Sequence, residues 1–350
     1  MDGSGIDGAT GPGGAAGNGG AAGVGGAAGG VGGSAGGSAG SIMACTIQCA
    51  ANAYCDAGIC RSRVTEFSIP SGGDSYAITA GPDGSLWFTE KSVSNFGRIT
   101  TSGTITEFPI PAGGSGGGIT AGPDGNVWFT ELTASNVASV TPGGMVHEYP
   151  LPTAGAGPLR ICVGSDGALW VTEDYANKIA RVTLAGEVTE MVTPTAETSP
   201  EGIANGPDGN IWFAEANTNA IAFASSGGTI TELVVTSDYW FPEEIVSGPD
   251  GNMWFTEYLG GRVGKVSLAN HAISTFTVPW QGTPSGIAVG QDRNVWFADQ
   301  DGASLGRVDS TGKITQYLVP SAAVGIAAGS DGNLWFTEPS AGKIARFVLP

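Results

Sequence analysis

Residues 78–90 read ITAGPDGSLWFTE, and the phrase returns as ITAGPDGNVWFTE at 119–131, IANGPDGNIWFAE at 203–215 and IAAGSDGNLWFTE at 326–338. Its tryptophan stands at Trp87, Trp128, Trp170, Trp212, Trp254, Trp296 and Trp335, spaced 41, 42, 42, 42, 42 and 39 residues apart. A period of about 40 to 45 residues, made of short β-type runs split by Gly-rich turns, is the signature of a β-propeller with one blade per repeat. The chain is therefore expected to be all-β, a seven-bladed propeller of four-stranded antiparallel blades.

Within the first repeat the runs YAITA, LWFTE, GRITT and TITEFPIP are the four strands, separated by PDG, SVSNF and TSG turn signals. Pro-Asp-Gly makes the first turn tight: Pro presets φ, Asp bonds its own backbone, and Gly supplies a positive φ. Both faces of LWFTE carry bulky residues, as expected of a strand covered on two sides by neighbouring blades. All seven tryptophans are accordingly read as core. The seventh repeat stops at IARFVLP, a third strand, whereas VTEFSIP at 64–70 matches ITEFPIP at 105–111 and precedes any blade that could own it. We expect 64–70 to complete blade seven and close the ring, removing its open edge; its deletion should open the propeller.

Outside the ring, residues 1–41 are almost wholly Gly, Ala and Ser, too apolar-poor to offset ordering entropy, and read as a flexible tether. A small Cys-rich segment, 42–63, follows. It carries Cys45, Cys49, Cys55 and Cys60 with three, five and four intervening residues, which favours two disulfides over a zinc knuckle built on C-x-x-C pairs. Disulfides imply export to the cell surface, periplasm or medium, although no signal peptide or transmembrane run is visible. Cys162 falls in a blade strand and reads as a small buried hydrophobe. A formal net charge of −18 argues against nucleic acid and anionic membrane; a small molecule, glycan or peptide is the expected partner, and the protein is expected to be a monomer.

Propeller ligands bind at a mouth of the central channel. A regular hairpin centred on Asp83 pairs Tyr76 with Glu90, and the same register pairs Gly117 with Glu131, Leu159 with Glu173, Glu201 with Glu215, Glu243 with Glu257, Ser285 with Asp299 and Val324 with Glu338. Each repeated acid is most simply a structural group, capping amides or pairing with Arg98, Lys178, Arg262, Arg307 or Lys343. Blades four and five differ, since carboxylate would face carboxylate there, with Glu244 adjacent and Asn205 nearby. Such pairs need solvent, a shared proton, or an ion such as Mg²⁺ or Ca²⁺. The loops SDYWFPEE and VPWQGTPSG bring Tyr239, Trp240, Phe241 and Trp280 to the same face, aromatic platforms suited to a sugar or an organic cation.

Residues 64–350, through the WFTE phrases and GRITTSGTITEFPIP, resemble the streptogramin B lyase (virginiamycin B lyase) family. The resemblance implies a seven-bladed propeller that opens a cyclic depsipeptide by β-elimination, using Mg²⁺ and histidines at the first strands of blades six and seven beside acids. Here Ser285 in PSGI and Val324 in AVGI occupy those histidine positions, Ala322 replaces an acid, and Glu338 alone keeps a family metal ligand. The only histidines, His147 and His271, fall in or near outer strands. No nucleophile elbow, H-E-x-x-H or phosphate-binding loop is present. The expected function is thus a tethered, non-catalytic module binding a ligand at the mouth over blades four to six, with no confident catalytic residue and Tyr76, Tyr239, Trp240, Phe241 and Trp280 as ligand contacts. The alternative is an enzyme: a C–O lyase of the same type, or a metal-dependent lactonase with Glu201, Glu215, Glu243, Glu257 and Glu338 as candidate ligands.

Overall fold

The computed structural model describes residues 53–56, 59–225, 227–235 and 241–350. A hairpin of β1 (Ala53–Asp56) and β2 (Ile59–Ser62) sets Cys55 opposite Cys60 in register; Cys45 and Cys49 lie outside the described residues. Seven four-stranded antiparallel sheets follow, spanning residues 75–109, 116–150, 158–192, 200–234, 242–277 and 284–318, with the seventh at 326–347. That last sheet takes its outer strand from β3 (Val64–Ser68), which pairs with Lys343–Phe347 from Val64↔Phe347 to Ser68↔Lys343. The ring is closed by an N-terminal strand, as the sequence match between 64–70 and 105–111 predicts.

The repeated phrase builds each blade from the turn outward. In blade one, β4 (Ser75–Ala80) runs into the Pro-Asp-Gly turn and returns as β5 (Leu86–Glu90), followed by β6 (Asn95–Ile99) and the outer β7 (Ile105–Pro109). Asp83 accepts the Ser85 amide at 3.1 Å, the expected local turn bond, and also the Trp87 indole N–H at 3.1 Å. All seven tryptophans repeat that indole-to-aspartate bond to the residue four before them, as Trp212 to Asp208 and Trp335 to Asp331 do at 3.1 Å. Each of the seven is at most 4% exposed, so the core reading holds. The indole N–H needs a partner when buried, and the turn aspartate supplies it.

The second strands are buried along their whole length in every blade. Apolar packing is divided among seven clusters, each lying between adjacent blades: Trp87 and Phe96 meet Ile119 and Phe129, and Trp335 and Ile344 meet Ile78 and Phe88 across the closure. Cross-blade burial, at about 25 cal/mol per Å² of apolar area, thus holds neighbour to neighbour and leaves the axis free for a channel.

Candidate functional site at one mouth of the channel

The register of the first two strands departs from a regular hairpin and decides which side chains reach the channel. Ser75 faces Glu90 while Ile78 faces Phe88, so Tyr76 and Ala77 together oppose Thr89. This is a β-bulge, and it recurs in blades two to six. Because one residue of slip exchanges the faces of a strand, the expected pairings fail by one position: Glu215 faces Pro200, not Glu201, and Glu257 faces Pro242, not Glu243. No carboxylate opposes a carboxylate across these hairpins.

The threonine of the phrase stabilises the bulge. Thr130 Oγ1 accepts the Gly118 amide at 2.9 Å and donates to the Leu159 carbonyl of blade three at 3.1 Å. Thr256 bonds the Glu244 amide and the Ser285 carbonyl, and Thr337 bonds the Gly325 amide and the Tyr76 carbonyl, in the same way. In blade six, where Ala298 replaces threonine, the Ser285 hydroxyl donates to the Val324 carbonyl at 3.2 Å and the Gly286 amide does so at 3.0 Å.

The slip sorts the acids into two populations. The acids closing the second strands, Glu90, Glu131, Glu173, Glu215, Glu257, Asp299 and Glu338, have no exposed surface. In five blades each lies against an outer-strand glutamate, as Glu90 does against Glu107 and Glu338 against Glu66. Burial, reinforced by the neighbouring carboxylate, pushes Glu90, Glu131, Glu173 and Glu338 up to about 7 and Glu215 up to about 8. The outer glutamates hold the loops leading into the blades: Glu148 accepts the Ala112 amide at 2.7 Å and Glu190 the Thr153 amide at 2.9 Å. Of the bases named from sequence, Lys178 pairs with Glu190 at 2.5 Å and Lys343 with Glu66 at 2.8 Å, while Arg98 goes to the turn Asp83.

The bulge residues face the axis instead. Tyr76, Leu159, Glu201, Glu243 and Val324 line one cavity of about 380 Å³, a size common in small-molecule sites. Lys91, Asp74, Asp174, Phe241, Tyr175 and Tyr258 complete its polar and aromatic wall. Burial and then Glu244 push Glu243 up to about 8; burial, opposed by Arg160, leaves Glu201 at about 7. One oxygen of Glu243 is enclosed without a partner. Burial also raises the Tyr76 hydroxyl.

Below this cavity the first strands of all seven blades line a shaft of about 380 Å³. Here the position equivalent to Ala77 is Gly118, Gly202, Gly286 or Gly325 in four blades, where neighbouring first strands approach too closely for a side chain. A Cβ on Gly202 would stand 2.5 Å from the Glu243 carbonyl, and one on Gly286 2.3 Å from that of Val324. Blades three and five place Arg160 and Glu244 at that position, and these two form an ion pair. The guanidinium, on a residue only 9% exposed, also stands 4.3 Å from the centre of the Tyr76 ring. Burial opposes its charge, but Glu244, Tyr76, Glu201 and Glu243 outweigh that and hold it protonated. Arg160 was missed from sequence, although an arginine where four other repeats have glycine is the signal that exposes it.

The remaining residues named from sequence are dispersed. Trp280 does not line the cavity: its indole donates to the buried Asp299 at 2.6 Å and stacks on Phe297, which fixes the roof of blade six. Phe241 and Tyr76 do line it, whereas Tyr239 and Trp240 lie outside the described residues. His271 sits in the turn joining the last two strands of blade five, at the opposite face, against Trp212 and Phe223, and His147 is exposed on an outer strand.

The residues present do not fit the Mg²⁺ implied by the family resemblance. Ser285 spends its hydroxyl on the Val324 carbonyl, Val324 offers no donor atom, and Glu338 is buried, accepting the Ser321 amide at 3.2 Å while lying against Glu66. Among the described residues no three His, Cys, Asp or Glu side chains converge as metal ligands, so Glu201, Glu215, Glu243, Glu257 and Glu338 do not form one ion site.

Comparison with known proteins bears on both fold and site. The sequence profile described as the Virginiamycin B lyase family matches residues 57–303 and 225–349. A streptogramin B lyase structure superposes with a TM-score of 0.78 at 29% identity, covering 82% of this chain and 97% of that one. Virginiamycin B lyase from Staphylococcus aureus, in its selenomethionine form, gives 0.78 at 30% identity over 82% of this chain and 99% of that one. A catalytically inactive variant of the S. aureus enzyme with quinupristin gives 0.77 at 30% identity over the same shares. No curated protein sequence matches the chain. From its seven-bladed architecture and a profile match that runs through the whole ring, this chain belongs to the virginiamycin B lyase family.

Proposed function

We propose that this propeller is a binding module, taking a small-molecule ligand at one mouth of the channel, where the charged side chains come from blades one, three, four and five, and not performing the family's elimination. The observation that carries this reading is the placement of the polar bulge residues. Tyr76, Glu201 and Glu243 line the mouth cavity, while the positions where the family resemblance implies histidines hold Ser285, with its hydroxyl engaged, and Val324. A β-elimination needs a base for the α-proton and stabilisation of the enolate charge; neither is supported at blades six and seven. This reading rests on Tyr76 of blade one with Glu201 and Glu243 of blades four and five, beside Phe241 of the loop aromatics.

The test is a thermal-shift panel of neutral sugars, small carboxylates and alkylamines against the protein and its Tyr76→Ala variant. A ligand bound by the native state raises Tm by mass action. At least one class is expected to stabilise the parent and not the variant; shifts that survive Tyr76→Ala in every class would contradict a site at this mouth.

A further inference from the structure

Resting on that reading of the mouth, we propose that its ligand is an organic cation, an alkylamine or diamine whose ammonium is taken by the face of Tyr76 and the carboxylates of Glu201 and Glu243. Three independent observations point there. The first is that the chain already places cations on this tyrosine: Lys91 Nζ stands 4.4 Å from the ring centre and the Arg160 guanidinium 4.3 Å. An aromatic face within about 6 Å of a cation attracts it through the ring quadrupole. Lys91 is exposed, and its ammonium sits on a flexible four-carbon stem, so a ligand ammonium can displace it from the ring.

The second is the charge balance of the wall. Asp74, Asp174, Glu201 and Glu243 line the cavity with Lys91 as its one basic residue, while Arg160 acts on Glu201 and Glu243 from below and is ion-paired to Glu244. Asp74 is held by the Ser92 amide and Asp174 by the Ser199 hydroxyl, which leaves Glu201 and Glu243 as the acids turned to the ligand. An anion would meet four acids, whereas an ammonium draws Glu201 and Glu243 into their ionised forms and compensates them. The third is the enclosed Glu243 oxygen without a partner. An N–H donor from the ligand satisfies it, and a buried acceptor left unmade costs about 1–3 kcal/mol.

A pH dependence follows. The groups facing Glu201 and Glu243 are Tyr76 and Lys91 from blade one, Arg160 and Asp174 from blade three, and Glu244 and Tyr258 from blade five. Glu201 at about 7 and Glu243 at about 8 hold protons near neutrality. An ammonium favours their ionised forms, so binding releases protons and tightens as pH rises.

Isothermal titration with putrescine, with butylamine, and with glucose as the neutral probe tests this. Putrescine or butylamine is expected to bind about tenfold more tightly at about pH 8.5 than at about pH 6, with protons released. Lys91→Met should tighten binding a few-fold by removing the competing ammonium. The Glu201→Gln, Glu243→Gln double variant should weaken it at least about tenfold and flatten its pH dependence, its fold being checked by circular dichroism. Glucose binding that requires Tyr76, with no amine binding, overturns the cation assignment and leaves the mouth a binding site. Absence of Tyr76-dependent binding by all three probes overturns the cation assignment, and the panel above then decides separately whether the mouth binds another class.

Discussion

Thr337 joins two blades through one oxygen. It accepts the Gly325 amide at 2.7 Å, fixing the entry to the first strand of its own blade, and donates at 3.0 Å to the Tyr76 carbonyl across the closure of the ring. Valine has the same shape without the hydroxyl, so Thr337→Val leaves an amide and a carbonyl unmatched. We expect a cost of about 1–3 kcal/mol, read as a Tm lowered by a few degrees in thermal unfolding, with Thr337→Ser close to the parent. A Tm unchanged in Thr337→Val would mean the amide finds another acceptor, as Gly286 does in blade six. At this scale the sequence was only partly readable. The tryptophans read correctly as core because hydrophobic repetition survives any register. The indole-to-aspartate bond was equally present as a fixed four-residue spacing and passed unnoticed. Arg160 was hidden because one repeat taken alone makes it an ordinary polar residue; only seven repeats laid together reveal the glycine it replaces and its complement, Glu244.

The blade is where sequence reasoning misread the register. Four strands, their order and the closing strand were legible from periodicity and turn chemistry, but alternation arguments assume an unbroken ladder. The bulge at Tyr76–Ala77 breaks it, so the acids Glu215 and Glu257 turn into the protein while Glu201 and Glu243 turn to the axis. The buried acids give the blades a pH response. Their ordinary value is near 4.5, and in the folded state burial raises Glu90, Glu131, Glu173, Glu257 and Glu338 to about 7 and Glu215 to about 8. A folded state that binds protons more tightly than the unfolded chain is most favoured at low pH and loses stability as pH climbs from the unfolded value through the folded ones. Tm should therefore fall from about pH 5.5 to about pH 8.5, and Glu215→Gln, which removes the carboxylate with the highest value, should reduce that fall. A Tm that rises over this interval would show these acids to be stabilised as anions.

Across the whole molecule, seven cross-blade clusters make a ring in which each blade is held by two neighbours. The axis is spanned not by a core but by the Arg160–Glu244 pair, joining blades three and five beneath Tyr76 of blade one. This strut, the mouth cavity above it and the apolar or engaged side chains at Val324 and Ser285 form one arrangement: the ring of the lyase family with the charged side chains of its mouth cavity drawn from blades one, three, four and five. Fold by itself does not select between binding and catalysis; the proposed binding role rests on these positions. The most direct measurement is to incubate the protein with a streptogramin B depsipeptide and Mg²⁺ and follow the mixture by chromatography with mass detection. An unchanged substrate is the predicted result; a new peak of the same mass would be elimination, and a peak heavier by one water would be ester hydrolysis, either of which contradicts a binding module.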